Sequence, residues 1–330
     1  MRAKRRFGFA CAVVGLSVAM PLSAHALVIT PIFNAAMSAN QKALVNNAIV
    51  FYQNTFSDPI TVTIAFTGMN TGLGQSQTYI STQTYAAYRT ALIADKTSAD
   101  DNLATASLQN QLASPVNGTN FITMKTANAR AVGINASGGL NNNLFSGCGT
   151  GTVVDGCIGI NFGLTDEQGG LYGATTVIEH EMNEALGLGS NLSGLGVFSG
   201  NAAPEDLFRY ASAGTRSFTP QGCNAQNGHA FLSFDAGATN IDEFNNCNNG
   251  GDYGDWVTHN PSQIQDAFTN GSGKPTMALG LAETRALDAI GYTYKSQSTT
   301  TPEPSTVTLM AAGLLALVGL GRRNRRKAKA

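Results

Sequence analysis

Apolar and polar positions alternate with two different periods along this chain, and the switches between them mark its elements. Between residues 34 and 56, NAAMSANQKALVNNAIVFYQNTF sets Met37, Leu44, Ala48 and Phe51 at helical spacing, which predicts a long helix ended by Asp58-Pro59. ITVTIAF, residues 60 to 66, then alternates Ile60, Val62, Ile64 and Phe66 with smaller or polar residues, the pattern of a half-buried strand. Gly72 and Gly74 punctuate a turn before a second, polar strand near residues 75 to 79. A helix over 85 to 96 follows from Tyr85, Tyr88 and Leu92 on one face, and FITMK (121 to 125) and CIGINF (157 to 162) read as further strands. The next helix lies in ATTVIEHEMNEALGLGS. Thr176 and Glu179 are spaced as a capping box that starts it just before His180, and Gly187 and Gly189 end it. Beyond it the chain turns Gly- and Asn-rich, with short order at FLSF, an expected helix in NPSQIQDAF behind the cap Asn260 and Pro261, and a closing helix over 282 to 290.

The two ends follow other rules. Residues 1 to 26 carry Arg2, Lys4, Arg5 and Arg6, an apolar run from Phe7 to Met20, and Ala24-His25-Ala26, the layout of a secretory signal cleaved before Leu27. A Ser/Thr-rich spacer over 296 to 301 leads to Pro302-Glu303-Pro304, an apolar stretch from Val307 to Gly321, and a basic tail of Arg322, Arg323, Arg325, Arg326 and Lys327. Residues 302 to 330 thereby resemble the PEP-CTERM sorting signal of Gram-negative bacteria. That resemblance implies export across the inner membrane, transient anchoring there by the C-terminal segment, recognition by an exosortase, and release toward the cell surface or outside.

Setting both ends aside changes the charge balance, because they hold half of the Lys and Arg but a single acid. About 20 acidic residues then face 10 basic ones. So acidic a chain lacks the clustered cations that phosphate binding needs, which argues against nucleic acid as a partner. Cys148, Cys157, Cys223 and Cys247 remain, and an even count in an oxidising compartment suggests disulfides, with Cys148–Cys157 and Cys223–Cys247 favoured as the sequence-local pairs. With no Cys-x2-Cys pair, a cysteine zinc site is disfavoured.

The chemistry-bearing stretch is His180-Glu181-x-x-Glu184. One helical turn puts His180 and Glu184 on one face, where an imidazole and a carboxylate can share a Zn2+ ion, while Glu181 is rotated by roughly 100° and sits where a general base belongs. With Gly187 and Ser190, the spacing resembles the metzincin signature His-Glu-x-x-His-x-x-Gly-x-x-His, with Glu184 and Ser190 in place of its second and third histidines. From 35 to 292 the chain resembles PEP-CTERM-associated metalloproteases of this His-Glu-x-x-Glu form. The resemblance implies an α+β, zincin/metzincin-like domain over residues 27 to 295: a twisted mixed sheet, an active-site helix below an edge strand, and a Gly/Asn-rich C-terminal lobe.

It further implies zinc-dependent hydrolysis of a peptide or protein substrate, with Glu181 as base and His180 and Glu184 as metal ligands. Ser190 is a weak zinc donor, so Asp206, which follows a Pro turn and precedes an apolar-aromatic run, is the expected third ligand. Glu205, His229 and His259 are alternatives. Met277 stands where metzincins place a methionine turn, and core packing explains it equally well. Asp235, Asp242, Asp252 and Asp255 miss EF-hand spacing and read as turn residues, and Trp256 reads as a packing anchor. The rival reading is a non-catalytic surface or matrix protein of the same fold, in which Glu184 forms an ion pair with a cation such as Arg209 and His180 is a core residue.

Overall fold

Helix α1 (Ala39–Thr55) forms where a capping box closes its first turn: Ser38 Oγ accepts from the Gln41 backbone N–H while the Gln41 side chain accepts from the Ser38 N–H. Its buried face, Val45, Ala48, Ile49, Tyr52 and Thr55, follows the helical repeat. The molecule is known from a computed structural model that describes residues 26–140, 144–145, 147–149, 151–192, 200–218, 230–295 and 312–313. The expected signal, spacer and sorting tail lie outside these residues, apart from Ala26 and residues 312 and 313. Residues up to Tyr294 form one unit and Lys295–Ala330 a second.

The fold is mixed α+β. Strands β1 (Val28–Phe33), β2 (Thr61–Gly68), β3 (Gly74–Thr78) and β8 (Gly156–Ile160) make a four-stranded sheet in the order β1-β2-β8-β3. β1, β2 and β8 run parallel, and β3 is antiparallel to β8 at one edge. Between β3 and β8 the chain forms β4 (Ile80–Thr84) paired with β5 (Phe121–Lys125), helices α2 (Tyr85–Asp95), α3 (Ala99–Ser107) and α4 (Thr126–Ala131), and the short pair β6 (Gly139–Leu140) and β7 (Val153–Val154). Helix α5 (Ala174–Leu186) packs on β3, β8 and α1. The C-terminal lobe is an antiparallel sheet, β10 (Thr215–Arg216), β9 (Arg209–Ser212), β11 (Phe231–Leu232) and β12 (Asp242–Glu243) in that order, followed by α6 (Ala282–Ala289).

Three sequence expectations change here. The strand expected at 157 to 162 runs instead from Gly156 to Ile160, with Phe162 in a following 3-10 turn, and is buried on both faces: Ile158 and Ile160 join the main core, whereas Cys157 packs in a second cluster with Ala65, Cys148 and Val154. The disulfide Cys148–Cys157 ties that second layer to the sheet. Cys247 is also disulfide-bonded, and its expected partner Cys223 lies outside the described residues. Helix α5 starts earlier than the capping-box reading, with Gly173 rather than Thr176 as its N-cap, because Thr176 Oγ1 donates instead to the Pro275 carbonyl (2.6 Å) and Glu179 is buried, accepting from Met277 N–H (2.8 Å). No helix forms in NPSQIQDAF. Asp266 captures the N–H groups of His259 and Gln263, both at 3.0 Å, and holds the segment as a loop.

Helix α6 docks on α3 through Arg285, which donates twice to Asp100 (2.7 and 3.0 Å), and through Ser98 Oγ, which donates to Asp288 at 2.5 Å. Burial, and then the neighbouring Asp101, raise the Asp288 carboxyl to about 8. Since folding raises this pKa, the native state holds a proton that the unfolded chain has released above about pH 4. Its contribution is therefore full in acid and lost as pH rises toward 8. Asp288→Asn is expected to remove roughly 1.4 kcal/mol per pH unit from the slope of unfolding free energy between about pH 5 and 7.5, measured by denaturant titration. An unchanged slope would contradict this.

Candidate metal centre

Helix α5 carries the first two groups. Val177, Ile178, Met182 and Ala185 bury its inner side, which leaves His180 and Glu184 half-buried at the mouth of a cleft. At its C-terminus Gly187 is required for space, because a Cβ there would come within 2.7 Å of Ile290 Cδ1 and 3.1 Å of Asn128 Cβ. The cleft, of about 670 Å3, is bounded by Gly74, Gln75 and Ser76 of β3, by His180, Glu181 and Glu184, and by the loops that contain Asp255 and Ile264.

The third group to converge is Asp255. Donor atoms of His180, Glu184 and Asp255 all lie within 4.8 Å of one another. His180 Nε2 is 3.7 Å from Glu184 Oε1 and 3.7 Å from Asp255 Oδ1, too far for direct hydrogen bonds and suited to sharing an ion. Among the described residues this is the one such group of three. Asp255 is fixed by its own backbone. Its carbonyl accepts from Asn245 N–H (2.7 Å), and Trp256 N–H donates to the Gln265 carbonyl (2.8 Å). Gly254 lies so close to α5's exit that a Cβ would be 2.5 Å from Gly189 Cα. Trp256, fully buried, anchors the segment against Phe244 and donates Nε1–H to Glu283 at 3.2 Å.

Each of the three has an outer partner. His180 Nδ1 lies 2.9 Å from the Ile264 carbonyl, which can only accept, so Nδ1 bears a hydrogen and Nε2 is the ring nitrogen turned toward the carboxylates, free to ligate an ion once it gives up its proton. Ser76 Oγ donates to Glu184 Oε2 at 2.5 Å, and Gln265 Nε2 donates to Asp255 Oδ1 at 2.9 Å. Burial alone would lower the imidazole pKa, but Asp255 and Glu184 outweigh it and hold His180 well above the ordinary histidine value. Burial raises Asp255 to about 7 against the pull of His180. Glu181 is pushed well above the usual carboxylate range by burial and by Glu184. Three acids around one imidazole make a field that a divalent cation would neutralise. Glu181 reaches the cleft because Gly74 has no side chain: a Cβ there would overlap Glu181 Oε1 and stand 2.8 Å from Val177 Cγ1.

Asp206 is held elsewhere. Its buried carboxylate accepts from Ser190 Oγ (2.5 Å), Asn191 N–H (3.1 Å) and Ala203 N–H (2.8 Å), so it pins the chain leaving α5 and is not in the converging group. Glu205 accepts from Gly189 N–H at 2.5 Å. His259 sits between Asp266 (2.7 Å) and Asp242 (3.2 Å), and His229 lies outside the described residues. Arg209 is buried and donates to the Tyr253 carbonyl (2.5 Å) and Asn246 Oδ1 (2.8 Å), so the ion pair with Glu184 does not form. Met277 packs under α5, with Sδ 3.6 Å from Asn183 Nδ2.

Residues 300–326 match the PEP-CTERM protein-sorting motif. No curated protein and no solved structure matches the chain. The motif implies export, with recognition of the C-terminal signal by an exosortase. Among the described residues no helix is long and apolar enough to cross a membrane.

Proposed function

We propose that the exported domain is a zinc-dependent peptide hydrolase of zincin-like organisation, with Asp255 in the ligand position that the sequence suggested for Asp206. The supporting observation is the meeting of His180, Glu184 and Asp255 at ion-sharing distances, each oriented by an outer hydrogen bond, beside an unligated acid, Glu181. One nitrogen and two carboxylate oxygens are a chemically suitable donor set for Zn2+ with a position left open. When bound, the ion would supply Lewis acidity toward a carbonyl oxygen and an acidified water.

The chain's own groups supply the rest. Ile264 and Ser76 hold His180 and Glu184 in register. Glu181, which lines the cleft beside the three donors without being one of them, takes a proton from the attacking water and passes it to the departing amine. β3, at the edge of its sheet and on the cleft wall, offers main-chain groups to an extended peptide. C-terminal sorting then anchors the protein transiently before release to the surface.

Metal analysis tests the reading. After reconstitution and dialysis, the full-length chain is expected to retain about one zinc ion, and His180→Ala none. A wild-type chain that retains no zinc would instead be an exported scaffold.

A further inference from the structure

We propose that Gln265 is a positioning residue, aiming Asp255 through a directional chain of buried hydrogen bonds that begins at Tyr52 on α1; this rests on the metal-centre reading above. Tyr52 OH donates to Asn183 Oδ1 (2.8 Å), Asn183 Nδ2 to Gln265 Oε1 (3.1 Å), and Gln265 Nε2 to Asp255 Oδ1 (2.9 Å). Tyr52, Asn183 and Gln265 are fully buried. Amides buried this deeply are costly unless they are bonded, and here each bond sets the sense of the next.

The opposite sense would turn the Gln265 carbonyl toward a carboxylate and Asn183 Oδ1 toward Met277 Sδ, pairing acceptor with acceptor at both places. Gln265 cannot drift to avoid this. Its N–H donates to Glu283 Oε1 (3.2 Å) and its carbonyl accepts from Trp256 N–H (2.8 Å). The Ile264 carbonyl that orients His180 is the adjoining residue, so one short loop sets two of the three ligands.

The test uses Co2+ as probe on the full-length chain, with affinity from chelator competition, the visible absorption spectrum of the bound ion, and the melting temperature of the metal-free protein. Gln265→Met keeps the volume but removes the donor. It is expected to weaken Co2+ binding roughly 10–100-fold and to change the spectrum. Tyr52→Phe, which touches none of the three donors, is expected to weaken binding several-fold in the same direction in a protein that still folds, its melting temperature lowered by the loss of one buried hydrogen-bond donor.

A folded Gln265→Met with wild-type affinity and spectrum overturns the proposal. If that variant does not fold, unchanged binding by Tyr52→Phe overturns it instead. A wild-type chain that binds no Co2+, or that binds it no better than His180→Ala does, overturns the metal-centre reading and this inference with it. Retained wild-type binding beside unaffected relay variants removes this inference alone.

Discussion

Glu181→Gln is expected to lower peptide turnover by about 10^2–10^4-fold while zinc content stays at the wild-type level. The amide keeps nearly the same shape in the space left by Gly74 but cannot accept the proton of the attacking water. Glu181 is not one of the three converging donors, so its loss leaves the ligand set whole. The measurement pairs zinc analysis with cleavage of a pool of internally quenched peptides. Turnover within threefold of wild type would remove Glu181 as the base. Loss of zinc together with activity would show that it belongs to the ligand set.

A contrast between two aspartates gives the second large effect. Asp255→Ala is expected to weaken zinc binding by more than the roughly 10–100-fold that outer partners carry, because it removes a donor rather than its support. Asp206→Ala is expected to leave zinc affinity unchanged and to cost about 1–3 kcal/mol of stability, since the N–H groups of Asn191 and Ala203 and the Ser190 hydroxyl lose their acceptor. Chelator competition and denaturant unfolding of both variants separate the effects. The reverse pattern would restore Asp206 as the ligand.

That contrast also shows where the sequence could be read and where it could not. Helical spacing announced α1 and α2 and period-two alternation announced β2, because each presents one apolar side to a core, whereas α5 was read from its capping-box spacing and terminal glycines. β1 was missed because Pro31 interrupts its pattern, and a proline is tolerated there since β1 is an edge strand. α3 was missed although Ser98 and Asp101 form a capping box ahead of it. His180, Glu181 and Glu184 were legible as a group because one helix carries them all.

Asp255 was not, for it lies far along the chain in a turn-rich stretch where aspartate is ordinary. Its distinguishing signals are the neighbours Gly254 and Trp256, which lock that strand of chain against the end of α5 and the C-terminal lobe. Asp206 stands out in the sequence because it follows a Pro turn and precedes an apolar-aromatic run. Its three hydrogen bonds to the segment after α5 explain its burial without an ion.

The cross-link between Cys148 and Cys157 connects this architecture to the route the protein takes. A thiol pair in the reducing cytoplasm stays open, and the sorting motif directs the chain out of that compartment. The layer that covers the far side of β8 is thus completed only after translocation, so a copy retained inside the cell would have an unfastened flap over its central strand.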